Sequence, residues 1–341
     1  MTTLPETPDP TTAATASTGN KPGGKAQTTM LRRVQDIGLA PLLVLVVLVV
    51  AIGAIDHKFF TARSFASLLE QSTPLALLAI GQCLVVLTGR IDLGNAALAS
   101  LTGVLVAKAL GTLGVVAVPL ILIGGALAGA LAGWVHVKAQ VPSFIVTLGA
   151  MGVWSGLSLM LAQANTVLVL DGYQYVEWIF NRWYGIPISF VLVMVITVAL
   201  MAALRGLPVG RQIKAVGLNE RAAAYSGIRT QLIVILAFVG SGLFAALAAV
   251  FQTAQLQSAG ASTSTSLLLP AIAAVIIGGT SISGGVGGVG RTLLGALVIT
   301  VLRVGLDIAG VASAIQPILY GLIVIFAIVA TVDRQRTVVV A

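Results

Sequence analysis

Charge is the scarcest property of this 341-residue sequence: 9% of its residues are Asp, Glu, Lys or Arg, against roughly 25% in an ordinary soluble domain. That scarcity excludes a water-soluble globular fold. The single cysteine, Cys83, excludes an internal disulfide and a cysteine-built metal site. The two histidines, His57 and His136, lie too far apart in the chain to form a metal-ligand spacing. No Ser/His/Asp or paired-carboxylate constellation stands out, which argues against a membrane-embedded enzyme. Acidic groups placed to serve as buried ion sites reduce to Asp92, Asp307 and, more weakly, Glu70, few for an ion-coupled secondary transporter. The net charge of +8 does not point to nucleic acid, because the basic residues flank apolar runs, where they act as topology signals.

What the chain has in abundance is hydrocarbon. It is 57% hydrophobic, in repeated runs long enough to cross a hydrocarbon core about 30 Å thick. The expected fold is an all-α polytopic membrane protein embedded in a lipid bilayer. Ten transmembrane helices are expected, at 37–55, 67–88, 93–111, 114–135, 142–162, 186–204, 231–253, 267–281, 292–308 and 311–331. Residues 1–29, rich in Thr, Pro, Ala and Gly, cannot bury enough surface to offset their ordering entropy and read as a disordered cytoplasmic tail, too polar for a signal peptide. Residues 30–335 form the membrane domain and 336–341 a short C-terminal tail. Arg32 and Arg33 precede the first span and hold the N-terminus in the cytoplasm; an even number of spans returns the C-terminus there. The basic residues agree, since the outer side carries only Lys58, Arg63 and Arg182, while Lys108 and Arg303 fall within spans.

Smaller features refine this picture. Gly125, Gly129 and Gly133 recur every four residues, a face that lets helix backbones approach closely. The outer segment 163–185 holds Tyr173, Tyr175, Trp178, Phe180, Trp183 and Tyr184, an interfacial aromatic belt or, as a sharper reading, a docking surface. Arg303 and Asp307, four apart, share a helix face and are expected to neutralise each other. Polar breaks interrupt the apolar sequence at 87–95, where Asp92 is expected to be paired, near an interface or facing a cavity, a pair with Arg90 at the cytoplasmic rim being the plainer expectation, and at 278–292. The second break spells G-x-x-x-x-G-R-T over 285–292, one residue from a phosphate-binding loop, but it lacks the lysine and the strand–turn–helix setting. The two breaks share a faint likeness, VVLTGRIDLG against VIIGGTSISG, that hints at an internal parallel repeat.

The most polar stretch is 205–230. It carries Arg205, Arg211, Lys214, Arg221 and Arg229 against the single acid Glu220. Pro208 and Gly210 are expected to break the preceding helix. Asn219 caps a short helix of about two turns through Glu220, Arg221, Ala222 and Ala223, which Gly227 ends. As residues alone the stretch is equally an ordinary basic cytoplasmic loop.

Taken together and in order, these stretches resemble the permease subunits of ABC importers, in the branch serving ribose and other monosaccharides. The resemblance rests on Thr88-Gly89-x-Ile91-Asp92-Leu93, on Gly210-Arg211 through Ala215-x-Gly217-x-Asn219-Glu220-x-Ala222-Ala223-x-x-Ser226-Gly227-Ile228, and on Gly278-Gly279-Thr280-Ser281-x-Ser283-Gly284-Gly285, and it spans roughly residues 40–330. It implies a helix at 219–228 that couples the permease to a cytoplasmic ATP-binding subunit, with ATP and magnesium bound by that partner and no cofactor in this chain. It also implies a second permease copy and an extracytoplasmic sugar-binding protein. Gln82, Thr88, Asp92, Asn95, Ser100 and Thr280 are the residues placed to line a substrate path, since hydroxyls and amides suffice for a neutral sugar. The family usually has Gly in place of Arg90, Ser-Val-Gly in place of Gly94-Asn95-Ala96, and often Gly in place of Arg291. These departures leave the cargo open among sugars, branched-chain amino acids, nucleosides and a signalling furanone.

Overall fold

The computed structural model describes residues 39–331, with side chains over 41–326. The expected tails at 1–29 and 336–341 lie outside the described residues. In hydrocarbon every backbone amide must find its partner within its own segment, so the apolar runs fold as helices. In chain order these are α1 (Leu39–Ile55), α2 (Ala62–Val86), α3 (Asn95–Leu113), α4 (Ala117–Ala139), α5 (Ser143–Ala162), α6 (Ile188–Gly206), α7 (Pro208–Leu218), α8 (Glu220–Tyr225), α9 (Thr230–Leu256), α10 (Leu268–Ile277), α11 (Val289–Ile308) and α12 (Gln316–Thr331). Six stretches are long and apolar enough to cross a membrane: Ala62–Val86, Asn95–Ala139, Ser143–Ala162, Ile188–Gly206, Thr230–Leu256 and Val289–Ile308. The second of these contains α3 and α4, joined by a tight turn at Gly114–Val116. The protein is a mostly helical, polytopic membrane protein.

A helix lies at each expected span, but α10 stops at Ile277, well short of the expected 281, because Gly278 and Gly279 end it. The largest departure is α7. As expected α6 stops at Gly206, before Pro208, but Pro208 also begins a new helix, because a proline in the first turn has no intrahelical amide bond to lose and its fixed φ suits the helix.

The bundle is built around α2 and α9. Nearly all of α2 from Leu75 to Leu87 is buried, and α9 packs on α2, α3 and α4. The contact between α4 and α9 is the glycine seam expected from the sequence. A β-carbon at Gly133 would lie 2.8 Å from that of Phe238, and one at Gly129 would collide with the Phe238 carbonyl. By contrast α5 and α6 turn large apolar side chains outward, among them Leu148, Met160 and Val195, the surface that lipid covers.

The connections gather at two ends. At one, short strands β1 (Val167–Leu168) and β4 (Ser258–Ala259) pair antiparallel, and β2 (Arg182–Trp183) forms a hairpin with β3 (Ile186–Pro187). There Arg182 Nε contacts Glu70 at 3.0 Å, while Trp183 and Tyr184 are exposed. At the other end meet the three polar stretches singled out above.

Candidate functional site

The polar breaks after α2 and α10 have the same geometry. The Gly89 amide donates to Val86 and the Arg90 amide to Val85; likewise the Gly279 amide donates to Ile276 and the Thr280 amide to Val275. Both helices therefore close on a glycine in the left-handed region, with φ of 76° at Gly89 and 76° at Gly279. The two glycines occupy matching positions in the VVLTGRIDLG and VIIGGTSISG stretches, so the faint repeat corresponds to a shared cap. The two breaks also touch, since the Gly285 amide donates to the Leu87 carbonyl at 2.9 Å.

Helix α7 lays its buried face, Ile213 and Val216, into this junction. Gly217 crosses so close to the Leu87 carbonyl and the Gly285 amide that no β-carbon fits between them. Glycine is required at that crossing for its missing side chain. Asn219 then turns the chain into α8, its side-chain oxygen accepting from the Ala222 amide at 3.0 Å. Glu220 in the first turn suits the positive end of the short helix. The Ser226 hydroxyl donates to the Ala222 carbonyl, and Gly227 ends the helix with φ of 81°. Ala223 is the one buried residue of α8, so it faces the bundle. Arg211, Lys214, Leu218, Arg221, Ala222 and Tyr225 are exposed, Tyr225 to 92%. Gly210 sits hard against Leu204 at the turn between α6 and α7.

Arg90 ties this assembly together. Its guanidinium lies 2.7 Å from Glu220 Oε2, donates through Nε to His136 Nε2 at 2.9 Å, and donates to the Thr88 carbonyl at 2.6 Å. His136 Nδ1 in turn lies 2.6 Å from the Val141 carbonyl; with Nε2 accepting, Nδ1 carries the proton and donates. One side chain thus connects α2's terminal turn, the C-terminal end of α4, and α8. The expected Arg90–Asp92 pair does not form. The left-handed turn at Gly89 sends Arg90 out toward α8, while Asp92 turns inward and accepts from the Ser241 hydroxyl of α9 at 2.7 Å and from the Gly94 amide at 2.9 Å. Burial pushes the Asp92 carboxyl above the ordinary carboxylate range, and the Ser241 and Gly94 bonds pull it back.

The six substrate-path residues are all buried and fall into separate groups. Thr88, Asp92 and Thr280 lie at the motif end: the Thr88 hydroxyl donates to Val85, and Thr280 Oγ1 sits 3.8 Å from Cys83 Sγ. Asn95 and Gln82 pair across α3 and α2, Nδ2 donating to Oε1 at 2.9 Å, and leave Gln82 Nε2 and Asn95 Oδ1 without partners. Nearer the hairpin end, Ser100 Oγ accepts from the Ser264 amide at 2.9 Å, and Ser264 Oγ donates to Gln252 Oε1.

Sequence reasoning missed a cavity of about 440 Å³ at the hairpin end, lined by Gln71, Gln252, Gln255, Ser266 and Arg303 among others. One signal was legible: Ser67, Gln71 and Gln82 recur at helical spacing along one face of α2. The expected Arg303–Asp307 pair is absent. Asp307 instead accepts from Gln316 Nε2 at 2.7 Å, which leaves Arg303 to the cavity.

A family described as "Branched-chain amino acid transport system / permease component" matches residues 64–328. The ribose import permease protein RbsC of Bacillus subtilis (strain 168) is 36% identical over 304 residues, covering 88% of this chain and 93% of that protein. The protein of the same name from Escherichia coli (strain K12) is 33% identical over 299 residues, covering 86% and 93%. The D-allose transport system permease protein AlsC of Escherichia coli (strain K12) is 30% identical over 290 residues, covering 84% and 88%. Matched along nearly its whole membrane-embedded length, the chain belongs to this family of transport-system permease components.

Proposed function

We propose that the chain is the permease subunit of an ATP-driven importer that moves a monosaccharide of the ribose or allose kind inward by alternating access. In this reading the protein is a multi-pass component of the cytoplasmic membrane with ten crossings and both termini inside. It works with a cytoplasmic ATP-binding subunit, which holds ATP and magnesium, with an extracytoplasmic sugar-binding protein, and with a second permease copy.

The observation that carries the proposal is the junction at the motif end. A two-turn helix, α8, presents Arg221 and Tyr225 to solvent while its base is pinned through Glu220 and Gly217 to the turn after α2 and to the glycine loop that follows α10. A partner that grips α8 therefore pulls on the helices that surround the buried Gln82–Asn95 pair, and a rigid element transmits such a displacement without dissipating it. Neutral sugars need hydroxyl and amide partners and no fixed charge, which the six buried path residues, Asp92 excepted, supply.

The test is the double substitution Glu220→Lys with Gly227→Pro. It reverses the charge facing Arg90 and forbids the left-handed cap, since proline cannot adopt a positive φ. The permease is expected to insert normally but to lose sugar uptake and the co-purifying ATP-binding subunit. Recovery of an intact, active complex from the double variant overturns the proposal.

A further inference from the structure

The cavity at the hairpin end has the chemistry of a binding site, and no role above accounts for it. Its volume of about 440 Å³ falls in the range of small-molecule sites, roughly 300–1,000 Å³. It is lined by the carboxamides of Gln71, Gln252 and Gln255 from α2 and α9 and by the hydroxyls of Ser67, Thr263 and Ser266, with Gln71 Nε2 donating to Ser67 at 3.2 Å, Gln252 Nε2 donating to the Thr263 carbonyl at 3.4 Å, and Pro74 and Leu267 supplying apolar wall. Arg303 is the only charged residue in the lining. A guanidinium offers five N–H donors and no acceptor. Arg303 makes no ion pair or hydrogen bond among the described residues.

Hydrogen bonds lead from the cavity wall as far as α3. Gln252 in its wall accepts from the Ser264 hydroxyl, and the Ser264 amide donates to Ser100 on α3. Further along α3 and α2 lies the Gln82–Asn95 pair, wholly buried, with one free donor and one free acceptor. A buried amide N–H or oxygen is costly to leave unpaired, and a hydroxyl, being donor and acceptor at once, satisfies both atoms.

We propose that this cavity is the loading subsite of the permease. It takes an uncharged polyhydroxylated ligand, with the carboxamides pairing its hydroxyls and the Arg303 fork donating to two neighbouring hydroxyl oxygens. Arg303 is then a specificity-determining residue, and the Ser264–Ser100 contact is the threshold between the subsite and the Gln82–Asn95 pair. The inference rests on the importer reading given above.

The experiment uses the full importer in cells, with radiolabelled D-ribose as probe. Arg303→Ala is expected to raise the half-saturating ribose concentration about tenfold, as for loss of a charged hydrogen-bond donor, and Arg303→Lys to recover part of the loss. Because Cys83 is the only cysteine and is buried, Gln255→Cys introduces a single accessible thiol. A membrane-impermeant maleimide added outside is expected to label it, and saturating ribose to protect it. Unchanged ribose uptake in Arg303→Ala, together with labelling of Gln255→Cys that ribose does not slow, overturns the subsite while leaving the importer standing. Absence of ATP-dependent ribose uptake by the unsubstituted importer overturns both.

Discussion

Replacing Arg90 by Ala removes the one side chain that bridges α2, α4 and α8, and the structure sets the size of the effect. The contact with Glu220 is short, 2.7 Å, but Glu220's side chain is 46% exposed, so water screens it and it contributes only about 0.5–1 kcal/mol. The remaining bonds, to His136 and to the Thr88 carbonyl, run from a guanidinium that is only 14% exposed. Each is charge-assisted, worth roughly 1.5–3 kcal/mol when the acceptor is left dry. Both hold Arg90 to α4 and to the turn after α2, so they set where the guanidinium sits beneath Glu220 and do not themselves bind α8. Docking of α8 in Arg90→Ala should therefore weaken by the Glu220 contact alone, about 0.5–1 kcal/mol, roughly two- to fivefold in its opening equilibrium, while the other two bonds are lost from the contact between α2 and α4. Glu220→Gln, which removes only the screened contact, should weaken it by about two- to fivefold. Amide hydrogen exchange in lipid nanodiscs reads this directly. The amides of 222–228 are expected to exchange about two- to fivefold faster in Arg90→Ala, with the amides of α9 around Phe238 unchanged. Unaltered exchange over 222–228, or equal acceleration throughout the bundle, refutes the clamp.

Two further substitutions probe the same junction. Gly217→Ala drives a β-carbon into the Leu87 carbonyl and the Gly285 amide, backbone atoms that cannot step aside; it should cost about 3 kcal/mol and lower the thermal midpoint of the purified protein by several degrees. Gly149→Ala, with open space at the same atom, is the control and should leave the midpoint unchanged; equal midpoints for the two variants would contradict the crossing. Asp92→Ala strips the acceptor from the buried Ser241 hydroxyl and the Gly94 amide, for an expected loss of about 2–4 kcal/mol. Asp92→Asn keeps one acceptor oxygen and should lose less in the same melting assay, so a ranking in the reverse order would mean that charge, and not hydrogen bonding, holds this loop.

Membrane residence, helix placement and the glycine seam were decided by local composition, because in hydrocarbon an apolar run has helix as its only economical backbone state and a small residue every fourth position defines a face. Asn219's cap and Gly227's stop were legible for the same reason: both act within one turn of chain. Helix α7 was missed because a proline reads alike as a stop and as a first residue, and only the packing of Ile213 and Val216 against the bundle tells them apart. Partnerships were beyond the sequence altogether. Arg90 stands two residues from Asp92 and 130 from Glu220, and Arg303 stands one turn from Asp307. Proximity along the chain favoured the near acid each time; the turn at Gly89 and the approach of Gln316 chose otherwise. The tertiary structure alone brought three distant polar stretches into one junction and opened the cavity at the hairpin end, because long-range contacts depend on how whole helices pack and no local pattern records that packing.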